Sequence, residues 1–459
     1  MFPDTITAIA TAPGIASIGV VRVSGALAEN IITKIFKPYH PLPLLHSHHL
    51  YYGEIISPKT GKILDVALVT LMRAPHSYTG EDVLEIHAHG APVVLTAILE
   101  TIIELGARVA APGEFTRRAL LNGRFDVLQI EAIGDLLAAR TPLAAEVALK
   151  GVRGEASQMI TEIREEMLEI LSQVEAHLDF GEDLAEGETE TMLLAKLQGL
   201  SDKIASLSAT YREGHLISSG ISCPIVGRAN VGKSSLLNAL LGKKRALVAP
   251  QSGTTRDFIE EAMFHEGWEI RLCDTAGIRG EATDLEKAGI EFVWERLALA
   301  DIALFLLDGS QPLTKEDKEL AEKIDSRDFL VVINKNDLPA AFPLSEAAAI
   351  APGREIISIS AKDGSGIREL KTAIIHHFRE SGSSETSRGV IITKARHQAA
   401  LAGASSFLYQ AATNLKAGAF AELIAQDIRE ALASISSITN VVDNEEILDR
   451  IFANFCVGK

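Results

Sequence analysis

The sequence has little cysteine, no excess of positive charge and no long apolar run near its start, and each shortage excludes a class of protein. Its three cysteines, Cys223, Cys273 and Cys456, are odd in number and too far apart for a metal-ligand pattern. No disulfide framework is expected, and this usage suits a reducing, cytoplasmic setting. Lys plus Arg number 44 against 61 Asp plus Glu, a formal charge of −17. That balance argues against coating nucleic acid by bulk charge and leaves only a local basic surface for RNA. From Met1 to Val21 there is no Lys or Arg and no continuous apolar stretch, which supports neither a secretory signal nor a membrane span.

What is present is apolar material for about three domains. Ile18 to Ser24 reads as a strand, and Leu27 to Phe36 as a helix ended by Pro38. Leu50 to Ile56 and Ile63 to Leu71 flank the turn signal Pro58-Lys59-Thr60-Gly61 and read as a hairpin; Val83 to His87 is a further strand and Ala91 to Leu105 a helix. An α+β domain over residues 1–118 is expected. From about Arg117 helical spacing takes over: Ile160, Ile163, Met167, Ile170, Val174 and Leu178 form one stripe, Leu193, Leu197, Leu200, Ile204 and Leu207 another. The acidic run from Gly181 to Glu190 between them reads as a solvated turn. From Ile221 to Phe378 short apolar strands (Ile270 to Cys273, Ile302 to Leu307, Phe329 to Ile333, Glu355 to Ile359) alternate with helices, the pattern of a doubly wound, mostly parallel α/β sheet. Ser381 to Ser387 is a flexible linker by composition, and helical spacing returns with Leu423, Ile424, Ile428, Leu432 and Ile435. The expected organisation is an α/β unit, 217–380, inserted in a helical domain split into 119–216 and 381–459.

The richest stretch is Gly227-Arg228-Ala229-Asn230-Val231-Gly232-Lys233-Ser234-Ser235, which follows a strand candidate, Ile221 to Val226, and opens a helix. This spacing lets successive backbone N–H groups from Asn230 to Ser235 wrap a phosphate at a helix N-terminus, while Lys233 neutralises charge and Ser234 reaches Mg²⁺. Four segments follow in the order a phosphate switch needs. Gly253-Thr254-Thr255-Arg256-Asp257 offers a hydroxyl, Thr255, to Mg²⁺. In Asp274-Thr275-Ala276-Gly277 the Asp can hold the ion through water and the Gly N–H can sense a γ-phosphate. In Asn334-Lys335-Asn336-Asp337 the last carboxylate can accept from guanine N1–H and the 2-amino group, and Ser360-Ala361-Lys362 supplies a backbone N–H for guanine O6. Ras-like switches carry a water-orienting Gln after the Asp-x-x-Gly run; here Ile278 stands there. A hydrophobic side chain cannot do this work, so a carboxylate nearby, Glu281, Asp284 or Glu286, is the substitute to consider.

These motifs, with Val21-Arg22-Val23-Ser24-Gly25, Tyr78-Thr79-Gly80-Glu81-Asp82-Val83-Leu84-Glu85, Pro112-Gly113-Glu114-Phe115-Thr116 and the terminal Cys456-Val457-Gly458-Lys459, closely resemble the bacterial MnmE (TrmE) family of tRNA-modifying GTPases over essentially the whole length. The resemblance implies GTP hydrolysis by a homodimer that works with an FAD-binding partner, MnmG, in a hetero-oligomer acting on tRNA. It implies a 5-aminomethyl or 5-carboxymethylaminomethyl group placed on wobble uridine, with a 5-formyl- or 5,10-methylene-tetrahydrofolate as one-carbon source. The matching folate positions are Arg22, Glu85, Arg124 and Lys459. By themselves these are unremarkable residues, but cations with a carboxylate suit an anionic tail and a donor-rich pterin. The resemblance further implies an activating K⁺ on the Asn230 side chain, the carbonyls of Ala249 and Gln251, and Thr254, along a loop, Ala249-Pro250-Gln251-Ser252, that departs from the usual family residues. The family pattern falls on Glu286-Lys287-Ala288-Gly289-Ile290 and selects Glu286 as the catalytic carboxylate. Cys456 is implied as a participant in modification; its thiol suits nucleophilic chemistry and equally suits packing after Phe452 and Phe455. The competing reading is an RNA-binding switch in ribosome assembly or translation, with Lys243-Lys244-Arg245 as its contact; another is a folate-dependent transferase with a regulatory GTPase part.

Overall fold

The computed structural model describes residues 4–40, 45–180, 188–242, 260–274, 297–379, 389–439, 448, 451–452, 455 and 458, with side chains 177–180, 188–189, 260 and 274 left aside. The chain divides into two compact units, one of residues 1–137, 149–201 and 403–459, the other of 138–148 and 202–402.

The first unit is built on a seven-stranded sheet. Its strands are β1 (Ile6–Ile9), β2 (Ile18–Ser24), β3 (Phe36–Pro38), β4 (Leu50–Ile56), β5 (Ile63–Met72), β6 (Val83–His89) and β7 (Arg108–Val109), in the order β3-β4-β5-β6-β2-β1-β7. All neighbours are antiparallel except β1 and β7. Alternation along β2 buries Val21 and Val23 and leaves Arg22 on the other face. Helices α1 (Ala28–Ile35) and α2 (Pro92–Glu104) cover one face: Ile31, Ile32 and Ile35 pack with Ile98, Ile102, Val69, Leu84 and Ile86. The expected hairpin is β4–β5. The helix expected over Leu27 to Phe36 stops one residue sooner, because Phe36 pairs with Ile55 as the start of β3.

The helices α3 (Glu114–Leu121), α4 (Val127–Ala138), α5 (Pro142–Val152), α6 (Glu155–Phe180) and α7 (Glu188–Ala209) follow. Most of both expected stripes faces inward: Ile160, Ile163, Met167, Ile170 and Val174 on α6, and Leu197, Leu200, Ile204 and Leu207 on α7, are buried, Leu193 is half-buried, and the Leu178 side chain lies outside those described. After α13 (Ala395–Lys416), helix α14 (Ala421–Thr439) packs along α6. Ile424, Ile428 and Ile435 of its expected stripe are buried, whereas Leu423 at its first turn is exposed. Leu448, Phe452 and Phe455 join Leu120, Val127, Ile130 and Ile133 in one apolar cluster, so the end of the chain returns to the start of the helices.

The second unit contains α8 (Tyr211–Ser219), β8 (Ile221–Val226), α9 (Lys233–Leu241), β9 (Glu260–His265), β10 (Trp268–Asp274), β11 (Ala303–Asp308), α10 (Lys315–Ile324), β12 (Phe329–Asn334), α11 (Leu344–Ile350), β13 (Ile356–Ser358) and α12 (Ile367–His376). The six strands run β13-β12-β11-β8-β10-β9, parallel except for β9, an antiparallel edge that the apolar pattern did not reveal. Buried on both faces, β11 and β12 read as unbroken apolar runs. Their side chains alternate between two clusters: Leu304, Leu306, Leu330 and Val332 pack under α9 and α12, while Phe305, Leu307, Val331 and Ile333 pack under α10 and α11. Among the described residues, no helix is long and apolar enough to cross a membrane.

Candidate nucleotide and N-terminal sites

The glycine-rich loop leaves the C-terminal end of β8, the strand between β11 and β10 in the six-stranded sheet. Asn230 (φ 65°) and Gly232 (φ 103°) both take left-handed backbone, which turns the chain sharply into α9. A Cβ at Gly232 would collide with the Asn334 amide, so glycine is required for the close approach as well as the turn. Lys233 Nζ donates to the carbonyls of Gly227 (2.7 Å) and Arg228 (2.9 Å), holding the ammonium over the cradle. The loop and the first turn of α9 thus supply the positive, N–H-rich concavity that a phosphate needs.

The other motif loops lie at the same edge. Asn334, buried at the end of β12, donates Nδ2 to the Val231 carbonyl (2.9 Å) and accepts from Ala361 N–H at Oδ1 (3.0 Å), tying the cradle to the Ser360–Lys362 loop. Asp337 accepts from Ser360 Oγ (2.8 Å) and lies 3.7 Å from Lys362 Nζ. Asn334, Lys335, Asp337, Ala361 and Lys362 line a cavity of about 870 Å³ that reaches Gly232 and Ser235. It can admit a ligand of nucleotide size.

Sequence reasoning missed Asp308. It ends β11 opposite Asn334 in register, is 3 % exposed, and its Oδ2 accepts from Lys335 Nζ at 2.5 Å. Burial pushes its carboxyl up, but hydrogen bonds from Lys335 and Ser310 prevail and hold it below the usual carboxylate range. Its signal was position alone: a carboxylate at the C-terminal end of a parallel strand, where such sheets gather their ligands.

Several expected site residues lie outside the described residues: Ala249, Pro250, Gln251, Ser252, Gly253, Thr254 and Thr255; Thr275, Ala276 and Gly277; Glu286; Cys456 and Lys459. Ile278, Glu281, Asp284, Lys243-Lys244-Arg245, most of the acidic run from Gly181 and the linker Ser381 to Ser387 do too. Asp274 ends β10, beside β8.

In the first unit, Arg22 on β2 and Glu85 on β6 are register partners. Arg22 Nε and Nη2 reach Glu85 Oε1 at 2.9 and 2.7 Å, and both side chains are 18 % exposed, held but open to one side. The guanidinium lies 5.4 Å from the Tyr78 ring centroid and 5.7 Å from that of Phe115. Its Nη1 donates to the carbonyl of Gly458 (3.3 Å). Gly458 (φ 101°) lies against Ile9 and Ala10, and a Cβ there would strike the Ile9 carbonyl at 2.5 Å. Arg124 Nε donates to the carbonyl of Ser77 (3.1 Å), next to Tyr78. Three of the four expected folate positions, and the neighbour of the fourth, therefore converge on the Ser77–Tyr78 segment and the β2–β6 pair.

Beneath them lies a buried ionic network. Arg118, fully buried on α3, reaches Glu81 (3.2 Å), Asp4 (2.8 Å) and Glu114 (3.1 Å). Glu81 also accepts from Ser24 Oγ (2.7 Å), which anchors the end of β2 two residues from Arg22.

A glycine-bearing phosphate loop at the middle of a mostly parallel sheet, with Asn-Lys-x-Asp and Ser-Ala-Lys loops beside it, defines the second unit as a P-loop GTPase domain. Residues 5–124 match the family model of the GTP-binding protein TrmE N-terminus, and residues 127–456 that of the MnmE helical domain. The sequence is 43% identical to the tRNA modification GTPase MnmE of Syntrophus aciditrophicus over 100% of both chains. It is 40% identical to that of Lactiplantibacillus plantarum over 99% of this chain and 98% of the other, and 38% identical to that of Geobacter sulfurreducens over 99% of each. The chain belongs to the MnmE family of tRNA modification GTPases.

Proposed function

We propose that this protein is a K⁺-activated, Mg²⁺-dependent GTPase that works as a cytoplasmic homodimer with the FAD-binding partner MnmG. On tRNA the two form the 5-aminomethyl or 5-carboxymethylaminomethyl group of wobble uridine from a tetrahydrofolate one-carbon donor. One juxtaposition carries the reading beyond a bare GTPase. Arg22, paired with Glu85, also donates to the carbonyl of Gly458, so a cation–carboxylate pair on the sheet meets the glycine of the Cys-x-Gly-Lys motif. In this reading residues 1–118 form the folate-binding and dimerisation domain, 119–216 and 381–459 the helical domain, and 217–380 the G domain.

In the G domain, the backbone of Asn230 to Ser235 and the Lys233 ammonium neutralise phosphate charge, and Ser234 and Thr255 hold Mg²⁺, with Asp274 acting through water. Asn230, Thr254 and the carbonyls of Ala249 and Gln251 hold K⁺, which supplies the positive charge of an arginine finger when two G domains meet. Glu286 orients the attacking water, and Asp337 reads the guanine edge. In the N-terminal domain Glu85 accepts from the donor-rich pterin edge, and Arg22, Arg124 and Lys459 hold the anionic tail. Cys456 serves the modification step. Folate, when bound, supplies the methylene.

Wobble-uridine modification of tRNA, assayed with GTP and a reduced folate in the presence and absence of MnmG, tests the proposal. Modified uridine should form only when both proteins are present. Equal modification without this protein contradicts it.

A further inference from the structure

Beyond the motif residues, the turn end of the β9–β10 hairpin is gripped from outside the sheet. The two strands are joined by Glu266 and Gly267, with His265 paired to Trp268. At the other end, β9 begins at Glu260, three residues after Gly253–Asp257, and β10 ends at Asp274, the first residue of the Asp274–Gly277 segment. The base of the hairpin is thus continuous in sequence with two segments read as γ-phosphate contacts. At its turn, Arg140 Nη1 donates to Glu269 Oε1 at 2.6 Å, and the Glu269 side chain is 7 % exposed. A Cβ built at Gly267 would sit 3.4 Å from the Leu143 Cβ. Ala144 shares an apolar cluster with Trp268 and Ile270, and Leu143 and Val147 pack against it.

The gripping segment is itself well fixed. Thr141 Oγ1 accepts from Ala144 N–H (3.0 Å) at the start of α5, where Pro142 suits the first helical turn. Residues 138–148 belong to the same compact unit as the six-stranded sheet, although more than 70 residues separate them in sequence from its first strand, β8.

We infer that Arg140 and Leu143 are positioning residues for GTP turnover. By holding the turn of the hairpin they fix where its base presents Asp274, without touching nucleotide. The inference rests on reading Gly253–Asp257 and Asp274–Gly277 as the γ-phosphate loops. Its physical basis is the limit of the sheet's own support: β10 is paired to β8 from Ile270 to Asp274, whereas the turn lies beyond that pairing and β9 is the edge strand, so the grip at the turn limits how far the edge can tilt, and small misplacements of reacting groups slow chemistry sharply.

The test uses the full-length chain with Arg140→Ala, Arg140→Lys, Glu269→Gln and the swap Arg140→Glu with Glu269→Arg. Steady-state GTP hydrolysis, GDP affinity and melting temperature are measured for each. Arg140→Ala should lower kcat about three- to tenfold while KM and GDP affinity stay within about twofold, the signature of an interaction expressed in the transition state. Arg140→Lys and the charge swap should recover at least half of that loss, and Leu143→Ala should lower kcat non-additively with Arg140→Ala. Unchanged kcat in both Arg140→Ala and Glu269→Gln overturns the inference. So does a parallel fall of kcat and GDP affinity that the swap does not repair, which marks a merely structural contact. Thr255→Ala is the separate control: full activity there removes the γ-phosphate reading itself, whatever Arg140 does.

Discussion

The two sheets display their chemistry in opposite ways. In the six-stranded sheet the described motif residues gather at the C-terminal edge of parallel strands, each set one contiguous run: Asn230 to Ser235, Asn334 to Asp337, Ser360 to Lys362. In the seven-stranded antiparallel sheet the paired groups lie mid-strand on the open face, Arg22 against Glu85, 63 residues apart in sequence. Parallel topology collects loops at one edge, whereas antiparallel pairing brings together residues that alternate with core positions.

The sharpest break in the comparison comes from the loop site. Asp337→Asn removes an acceptor for two guanine donors, and charged hydrogen bonds are worth about 1.5–3 kcal/mol each. GTP affinity should fall by about two to four powers of ten while xanthosine triphosphate gains, measured by competitive nucleotide binding. Retained guanine preference would detach Asp337 from the base. Beneath the other sheet, Arg118→Ala should lower stability by about 3–5 kcal/mol, since Glu81, 4 % exposed, would lose its buried cation. Denaturant unfolding followed in the N-terminal unit checks this, and a shift below about 1 kcal/mol would reduce the network to packing.

Smaller is the effect of Asp308→Asn. Lys335 would lose its carboxylate, and GTP affinity should fall about tenfold, the worth of one charge-assisted bond. The same carboxyl sets the sign of a pH effect. Its folded pKa lies below the usual carboxylate range, so it stabilises the fold above that range, and the contribution is lost as pH falls through the lower, folded pKa. The acid limb of the melting curve should be less steep in Asp308→Asn than in the parent chain.

How much was legible follows from the same contrast. The cradle, the Asn-Lys-x-Asp loop and the Ser-Ala-Lys loop announced themselves because spacing along the chain mirrors spacing in the cavity. Asp308 did not, because a single Asp after an apolar run carries no spacing. Strands β10, β11 and β12 were legible as apolar runs, whereas β9, Glu-Glu-Ala-Met-Phe-His, has too little apolar alternation to stand out. Arg22, Glu85 and Arg124 drew attention only through resemblance, since charged residues on a strand's open face look like solvated surface. The rings of Tyr78 and Phe115 beside Arg22 and the Gly458 carbonyl on Nη1 appear only once the sheet is formed and the chain end has returned to it.

The proposed function gives the chain two sites, a loop-built one for GTP and a strand-built one for a reduced folate. Tetrahydrofolate binding by the full-length protein, compared with that of Arg22→Ala and Glu85→Gln, tests it most directly, with GTP hydrolysis as the companion reading. Both substitutions should lower folate affinity by at least about tenfold, as loss of a charge-assisted contact requires, and leave GTP hydrolysis within about twofold. Folate affinity unchanged in both variants, or absent from the parent protein, would contradict the claim.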